Sequence, residues 1–214
     1  MFNNILKDKL KNGETVFGTW TTIPSPTLIE IFGKSGMDFV IIDHEHGPFT
    51  YETSENMIRA AENSNCTPLI RVSRNSSSEI LRSLEIGAHG IMVPQVENYD
   101  EAKKALMSMK YSPLGNRGVS AFTRSSDYYG ITIENRTQKL NDSTLSVLLI
   151  ESVNAISNLD SILDCGGIDL IYIGTYDLSQ SLGIIDNVND SNLISIVEKA
   201  VDKIRKHGVS AGIL

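Results

Sequence analysis

Phe39-Val40-Ile41-Ile42-Asp43-His44-Glu45-His46 sets a pattern that three later stretches repeat. Pro68-Leu69-Ile70 stops at Arg71, and Val147-Leu148-Leu149-Ile150 stops at Glu151. Leu170-Ile171-Tyr172-Ile173 runs through Gly174 to Asp177. Runs this short and this apolar suit strands buried on both faces, as in a parallel sheet covered by helices. Polar groups at the carboxyl ends of several such strands are how an α/β barrel gathers residues distant in sequence into one site. The pattern points to an enzyme.

Working outward, strand-like and helix-like segments alternate. Strands are expected over 16–20, 38–42, 68–71, 90–93, 146–150, 169–173 and 209–213. Helices are expected over 26–35, 50–63, 78–86, 100–109, 131–140, 156–163 and 193–206. Pro26 suits a first helical turn, and Thr50 or Thr53 and Ser77 or Ser78 are available as N-caps. A longer connection starts at Lys110 and carries the turn-rich Ser112-Pro113-Leu114-Gly115-Asn116-Arg117-Gly118. Regular βα alternation with short links implies a parallel sheet with right-handed crossovers.

The expected fold is therefore a TIM (β/α)8 barrel in one domain over 1–214. Seven strands are legible, and an eighth βα unit would begin where the sequence stops at Leu214. Seven strands leave the first and last with unpaired edges. Either the sequence is a shortened version of a longer protein or another chain completes the barrel.

The 214 residues carry a net charge of −7 with no cluster of Lys and Arg, which argues against nucleic acid and anionic membrane as partners. Cys66 and Cys165 cannot make a disulfide framework and read as filler in a reducing compartment. Residues 1–13 lack the apolar stretch of a signal peptide, and no run approaches the ~20 apolar residues of a membrane span. A cytoplasmic protein is expected.

Glu151 and Asp177 are one βα unit apart and should top neighbouring strands, ~4.8 Å from each other across the sheet. Two carboxylates there can share a divalent ion, with Mg2+ or Mn2+ favoured over zinc and Co2+ a further candidate. The competing reading makes each a helix cap or a solvated loop residue. Asp43-His44-Glu45-His46 could hold zinc, but only His89 and His207 remain to complete such a site, and neither is placed for it. The alternative is an Asp43–His46 pair in which the carboxylate orients a proton-moving imidazole, with His44 structural or on the rim. Arg71 could hold a carboxylate or a developing oxyanion, or simply pair with a neighbouring acid. No Walker loop, G-x-G-x-x-G or G-x-S-x-G is present.

These residues in this order resemble the metal-dependent, pyruvate-type class II aldolases of the HpcH/HpaI family. The resemblance runs through Phe17-Gly18-Thr19-Trp20, Asp43-His44-Glu45-His46-Gly47-Pro48 and Pro68-Leu69-Ile70-Arg71. It continues in Gly87-Ala88-His89-Gly90-Ile91-Met92-Val93-Pro94-Gln95-Val96, the 112–118 stretch, Ile150-Glu151 and Gly174-Thr175-Tyr176-Asp177-Leu178-Ser179. It implies a (β/α)8 barrel assembled as a homo-oligomer, a hexamer of paired subunits that exchange a C-terminal helix. It assigns Glu151 and Asp177 to the metal, His46 with Asp43 to proton transfer, and Arg71 to the enolate oxygen. It implies a small 2-oxo acid such as pyruvate as donor and an aldehyde as acceptor. Trp20, Gln95, Thr175, Tyr176 and Leu214 are expected around the substrate.

The chain departs from the family where Leu149 replaces a frequent Gln and where Gly-Thr-Tyr-Asp replaces Gly-Pro-Ala-Asp, putting Tyr176 beside the donor. The absent eighth unit also takes away the exchanged helix, which tells against the hexamer. Three other functions compete. They are decarboxylation of a 2-oxo acid such as oxaloacetate, cleavage of an acyl-CoA thioester, and a truncated, non-catalytic assembly partner.

Overall fold

The computed structural model describes residues 3–129, 133–184 and 187–214. A short helix, α1 (Ile5–Lys11), leads into β1 (Gly18–Thr21), α2 (Pro26–Lys34), β2 (Phe39–Asp43), α3 (Tyr51–Asn63) and β3 (Thr67–Arg71). Next come α4 (Ser77–Glu85), β4 (Gly90–Val93) and α5 (Tyr99–Met109). The long connection then holds a 3-10 turn at Arg124–Tyr129 before α6 (Ile133–Ser143) and β5 (Leu145–Ile150). The chain continues through α7 (Val153–Ser157), α8 (Leu159–Leu163), β6 (Leu170–Ile173), α9 (Thr175–Ser181), α10 (Ser191–Lys206) and β7 (Ser210–Ile213).

The seven strands form one parallel sheet in the order β1-β2-β3-β4-β5-β6-β7. Among the described residues no ladder joins β1 to β7. The result is an α/β fold with a curled seven-stranded sheet, a partial barrel, where the sequence led us to expect the barrel minus one unit.

Alternation along the strands explains why they read as continuous apolar runs. Val40, Ile42, Ile70, Ile91, Leu148, Ile150 and Ile171 pack outward against the helices. Ile41, Leu69, Met92, Val147, Leu149 and Tyr172 face inward, with Leu6 of α1 beneath them. Both faces are buried, so the runs are mostly apolar and the charged residues come at the strand ends.

Caps set the helix starts: Thr50 accepts from Thr53 N at 3.2 Å, and Asn98 from Glu101 N at 3.0 Å. The cap of α4 is Ser76, one residue earlier than expected. Gly87, with φ 102°, follows α4 and turns the chain toward β4 in a conformation that a side chain would strain.

Three differences from the sequence reading stand out. Helix α1 was not anticipated. The helix expected over 156–163 is two short ones, each turn-length and meeting at Asn158. Residues 131 and 132 of the helix expected over 131–140 lie outside the described residues; α6 runs from Ile133 to Ser143. Among the described residues no helix is long and apolar enough to cross a membrane.

Candidate active site

Period-2 alternation puts Asp43, Arg71 and Glu151 in the inward-facing files of β2, β3 and β5, two residues beyond Ile41, Leu69 and Leu149. Asp43 and Arg71 are direct partners in the β2–β3 ladder. The Arg71 guanidinium binds Asp43 with both prongs, Nε to Oδ1 at 2.7 Å and Nη2 to Oδ2 at 2.6 Å. Its third nitrogen, Nη1, lies 2.8 Å from Glu45 Oε2. That contact is an ion pair at poor hydrogen-bond angle, since Glu45 Oε2 counts among the buried oxygens without a hydrogen bond. The Trp20 ring covers the guanidinium carbon at 4.6 Å. A buried arginine held on three sides is fixed in place.

Burial alone would raise the Asp43 carboxyl, but the Arg71 hydrogen bonds and charge outweigh it and hold the group below the ordinary carboxylate range. Its Oδ1 also accepts from the backbone N–H of Glu45 at 3.0 Å and of His46 at 3.4 Å. The pairing of Asp43 with the His46 ring, expected from the sequence, is therefore not what the geometry displays. Asp43 clamps Arg71 and shapes the turn that carries His46. Among the described residues nothing hydrogen-bonds the His46 imidazole, which is exposed and faces the cavity. His44 sits apart, its Nε2 2.7 Å from Ser54 Oγ and its ring stacked on Phe49, which accords with a structural role.

Glu151 directly follows β5 and is 7% exposed. Burial pushes its carboxyl up from 4.5 to about 7; the Gln95 N–H opposes this, and the negative charges of Asp177 and Glu45 add to it. Gln95 N donates to Glu151 Oε1 at 2.8 Å, while the Gln95 side-chain amide donates to Glu45 Oε1 at 2.9 Å. Gln95 adopts φ 55°, which aims its N–H back at the carboxylate. It thus joins two acids from behind, and the sequence reading of it as a substrate contact gains no support from this geometry.

Gly174 follows β6 and donates its N–H to Ile150 O at 3.0 Å. A Cβ there would come within 2.9 Å of Glu151 Cβ and 3.0 Å of Oε2, so glycine leaves the space in which the carboxylate sits. Asp177 lies in the first turn of α9, exposed, on the same cavity wall.

These groups open on a cavity of ≈ 1220 Å³ lined by Trp20, His46, Arg71, Glu151 and Asp177. Thr175, Tyr176 and Leu214, also expected near the substrate, lie on its wall. Asp43 and Gln95 stand behind the lining. The sequence reading missed Glu45, which is two residues past Asp43 and so in register to reach Arg71, and Tyr172, whose inward file was readable from its place after Leu170. Among the described residues no group of three His, Cys, Asp or Glu side chains is gathered for a metal. The donor set is two carboxylates, one of them buried, with its carboxyl pushed up to about 7 by that burial. That fits a hard divalent ion whose other positions are filled by water and substrate.

The profile of the HpcH/HpaI aldolase/citrate lyase family matches residues 17–214. A 2-keto-3-deoxy-L-rhamnonate aldolase of Escherichia coli O17:K52:H18 is 36% identical over 214 residues, all of this chain and 80% of that protein. The crystal structure of an HpcH/HpaI aldolase from Desulfitobacterium hafniense DCB-2 superposes with a TM-score of 0.92 at 31% identity, covering 97% of this chain and 80% of the other. The citrate synthase SbnG superposes with a TM-score of 0.89 at 32% identity, covering 98% and 81%. The chain belongs to the HpcH/HpaI aldolase/citrate lyase family and, by that membership, is an aldehyde-lyase.

Proposed function

We propose that this protein is a class II aldolase that makes or cleaves 4-hydroxy-2-oxo acids, with pyruvate or a similar 2-oxo acid as donor and an aldehyde as acceptor. The observation that carries this is the buried Glu151 carboxyl, pushed to about 7 beside Asp177 and opposite the fixed cation of Arg71. Glu151 and Asp177 would hold Mg2+ or Mn2+, with Co2+ as a further candidate. When bound, that ion supplies a Lewis acid toward the donor's keto oxygen.

Arg71 presents its charge toward the oxygen on which negative charge grows, and it needs no reorganisation because Asp43, Glu45 and Trp20 already hold it. His46, whose ring has no hydrogen-bond partner among the described residues, takes the proton of the acceptor hydroxyl during cleavage and returns it during synthesis. Thr175 and Tyr176 flank the donor, and Leu214 stands at the wall where an acceptor chain would pass. The working fold is proposed as one (β/α)8 domain, with the closing unit between β7 and β1. A cytoplasmic homo-oligomer is the expected state.

The test is pyruvate release from a 4-hydroxy-2-oxo acid, with and without chelator, in wild type and Glu151→Ala. Activity that chelation and the substitution both abolish supports the reading; unchanged release in Glu151→Ala would refute it. Metal-dependent loss of CO2 from oxaloacetate without any aldol cleavage would assign decarboxylation instead.

A further inference from the structure

Tyr172 takes no part in the scheme above, yet it stands inside the cavity, 6% exposed, in the inward file of β6. Its hydroxyl lies 3.3 Å from Trp20 Nε1, so the indole N–H donates to it. The two rings meet edge to face, with centroids 5.5 Å apart and planes at 75°. Trp20 in turn carries the Arg71 guanidinium on its face. Three side chains from β1, β3 and β6 thus make one chain of contacts across the cavity. It crosses the gap where no backbone ladder joins β1 to β7 among the described residues.

We propose that Tyr172 is a positioning residue that acts on Arg71 through Trp20. An indole has two ways to lie over a guanidinium, flat or tilted, and the cation–π attraction depends on which. The edge-to-face packing sets the tilt, and the N–H to Oη bond fixes the rotation about the ring normal. Asp43 and Glu45 hold the guanidinium through its nitrogens, and Trp20 packs over its carbon, a contact that depends on the plane of the indole. Arg71 must point its remaining N–H groups at a growing oxyanion, and a small misplacement there costs rate more than binding. The inference rests on the proposed role of Arg71.

Trp20 is the single tryptophan of the chain, so intrinsic fluorescence reports directly on this contact. Tyr172→Phe removes one oxygen and keeps the ring packing. It should shift the Trp20 emission of the ligand-free protein and weaken the emission change produced by pyruvate. It should also lower kcat about fivefold, the worth of one ordinary hydrogen bond, with KM unchanged. In a Trp20→Phe background the same substitution should cost nothing further.

Identical emission in Tyr172→Phe and wild type, or an equal loss of kcat with and without Trp20, would overturn the proposal. If wild type lacks aldolase activity altogether, the function proposed above fails instead. The emission shift and its pyruvate response then still decide whether Tyr172 sets Trp20.

Discussion

Replacing Glu151 by glutamine should make the metal-stripped protein more stable at pH 8. Glu151 is buried, and burial first, then the charges of Asp177 and Glu45, push its carboxyl from 4.5 to about 7 against the help of the Gln95 N–H. Between those two values the native state still binds the proton that the unfolded chain has released. Stability therefore falls as pH rises through that window and stays reduced above it. At ~1.4 kcal/mol per pH unit, ionised Glu151 costs the metal-free fold ~3 kcal/mol. Glutamine carries no charge and keeps an oxygen for the Gln95 N–H. Urea unfolding of EDTA-treated wild type and Glu151→Gln at pH 8 should thus favour the variant by ~2–3 kcal/mol, and the gap should close toward pH 4.5. Added Mn2+ should erase that advantage, because a native state that binds it at a hundredfold its Kd gains ~2.7 kcal/mol and the variant has lost a ligand. A variant weaker than wild type in EDTA at pH 8, or equal stabilisation of both by Mn2+, would show that Glu151 is not a cation ligand held in reserve.

Two further outcomes follow from the same geometry. Gly174→Ala forces a methyl against Glu151 Cβ, so it should cost ~1–3 kcal/mol of stability and weaken Mn2+ binding, read by thermal melting with and without the ion. Lys110 is pushed down to about 8 by burial, with the charge of Lys7 adding to it. From there to 10.5 the unfolded chain holds a proton that the native amine has released, so this residue should make stability rise with pH by up to ~3 kcal/mol. Urea midpoints between pH 7.5 and 10 should show that rise in wild type and its loss in Lys110→Met; an identical slope in both would refute the assignment.

The strand ends were legible because a run buried on both faces is mostly apolar, and its charged residues stand at the carboxyl end. That rule alone found Asp43, Arg71, Glu151 and the Gly174–Asp177 turn. It could not say which acid serves which base. Asp43 and His46 are three apart and look like a pair, but the sheet register sets Asp43 directly beside Arg71, and a bidentate guanidinium outcompetes an imidazole. Register between strands distant in sequence cannot be read from one strand. The same limit hid the Trp20–Tyr172 contact, which spans 152 residues. Helix α1 escaped because its seven residues are too few to show a clear period, and its role depends on partners far along the chain.

That small helix has a consequence of its own. Asn4 Nδ2 reaches His89 O and Ser143 O, at 2.9 and 2.8 Å. Lys7 Nζ reaches Thr144 O and Asp169 Oδ2, both at 2.9 Å, and Lys9 pairs with Asp38. Each of these acceptors lies just ahead of a strand, so α1 laces together the starts of β2, β4, β5 and β6. Leu6 plugs the floor between them. A bulky fusion or a proteolytic nick that unseats this lacing would disturb the chemistry from the far end of the sheet while leaving every reactive side chain in the sequence intact.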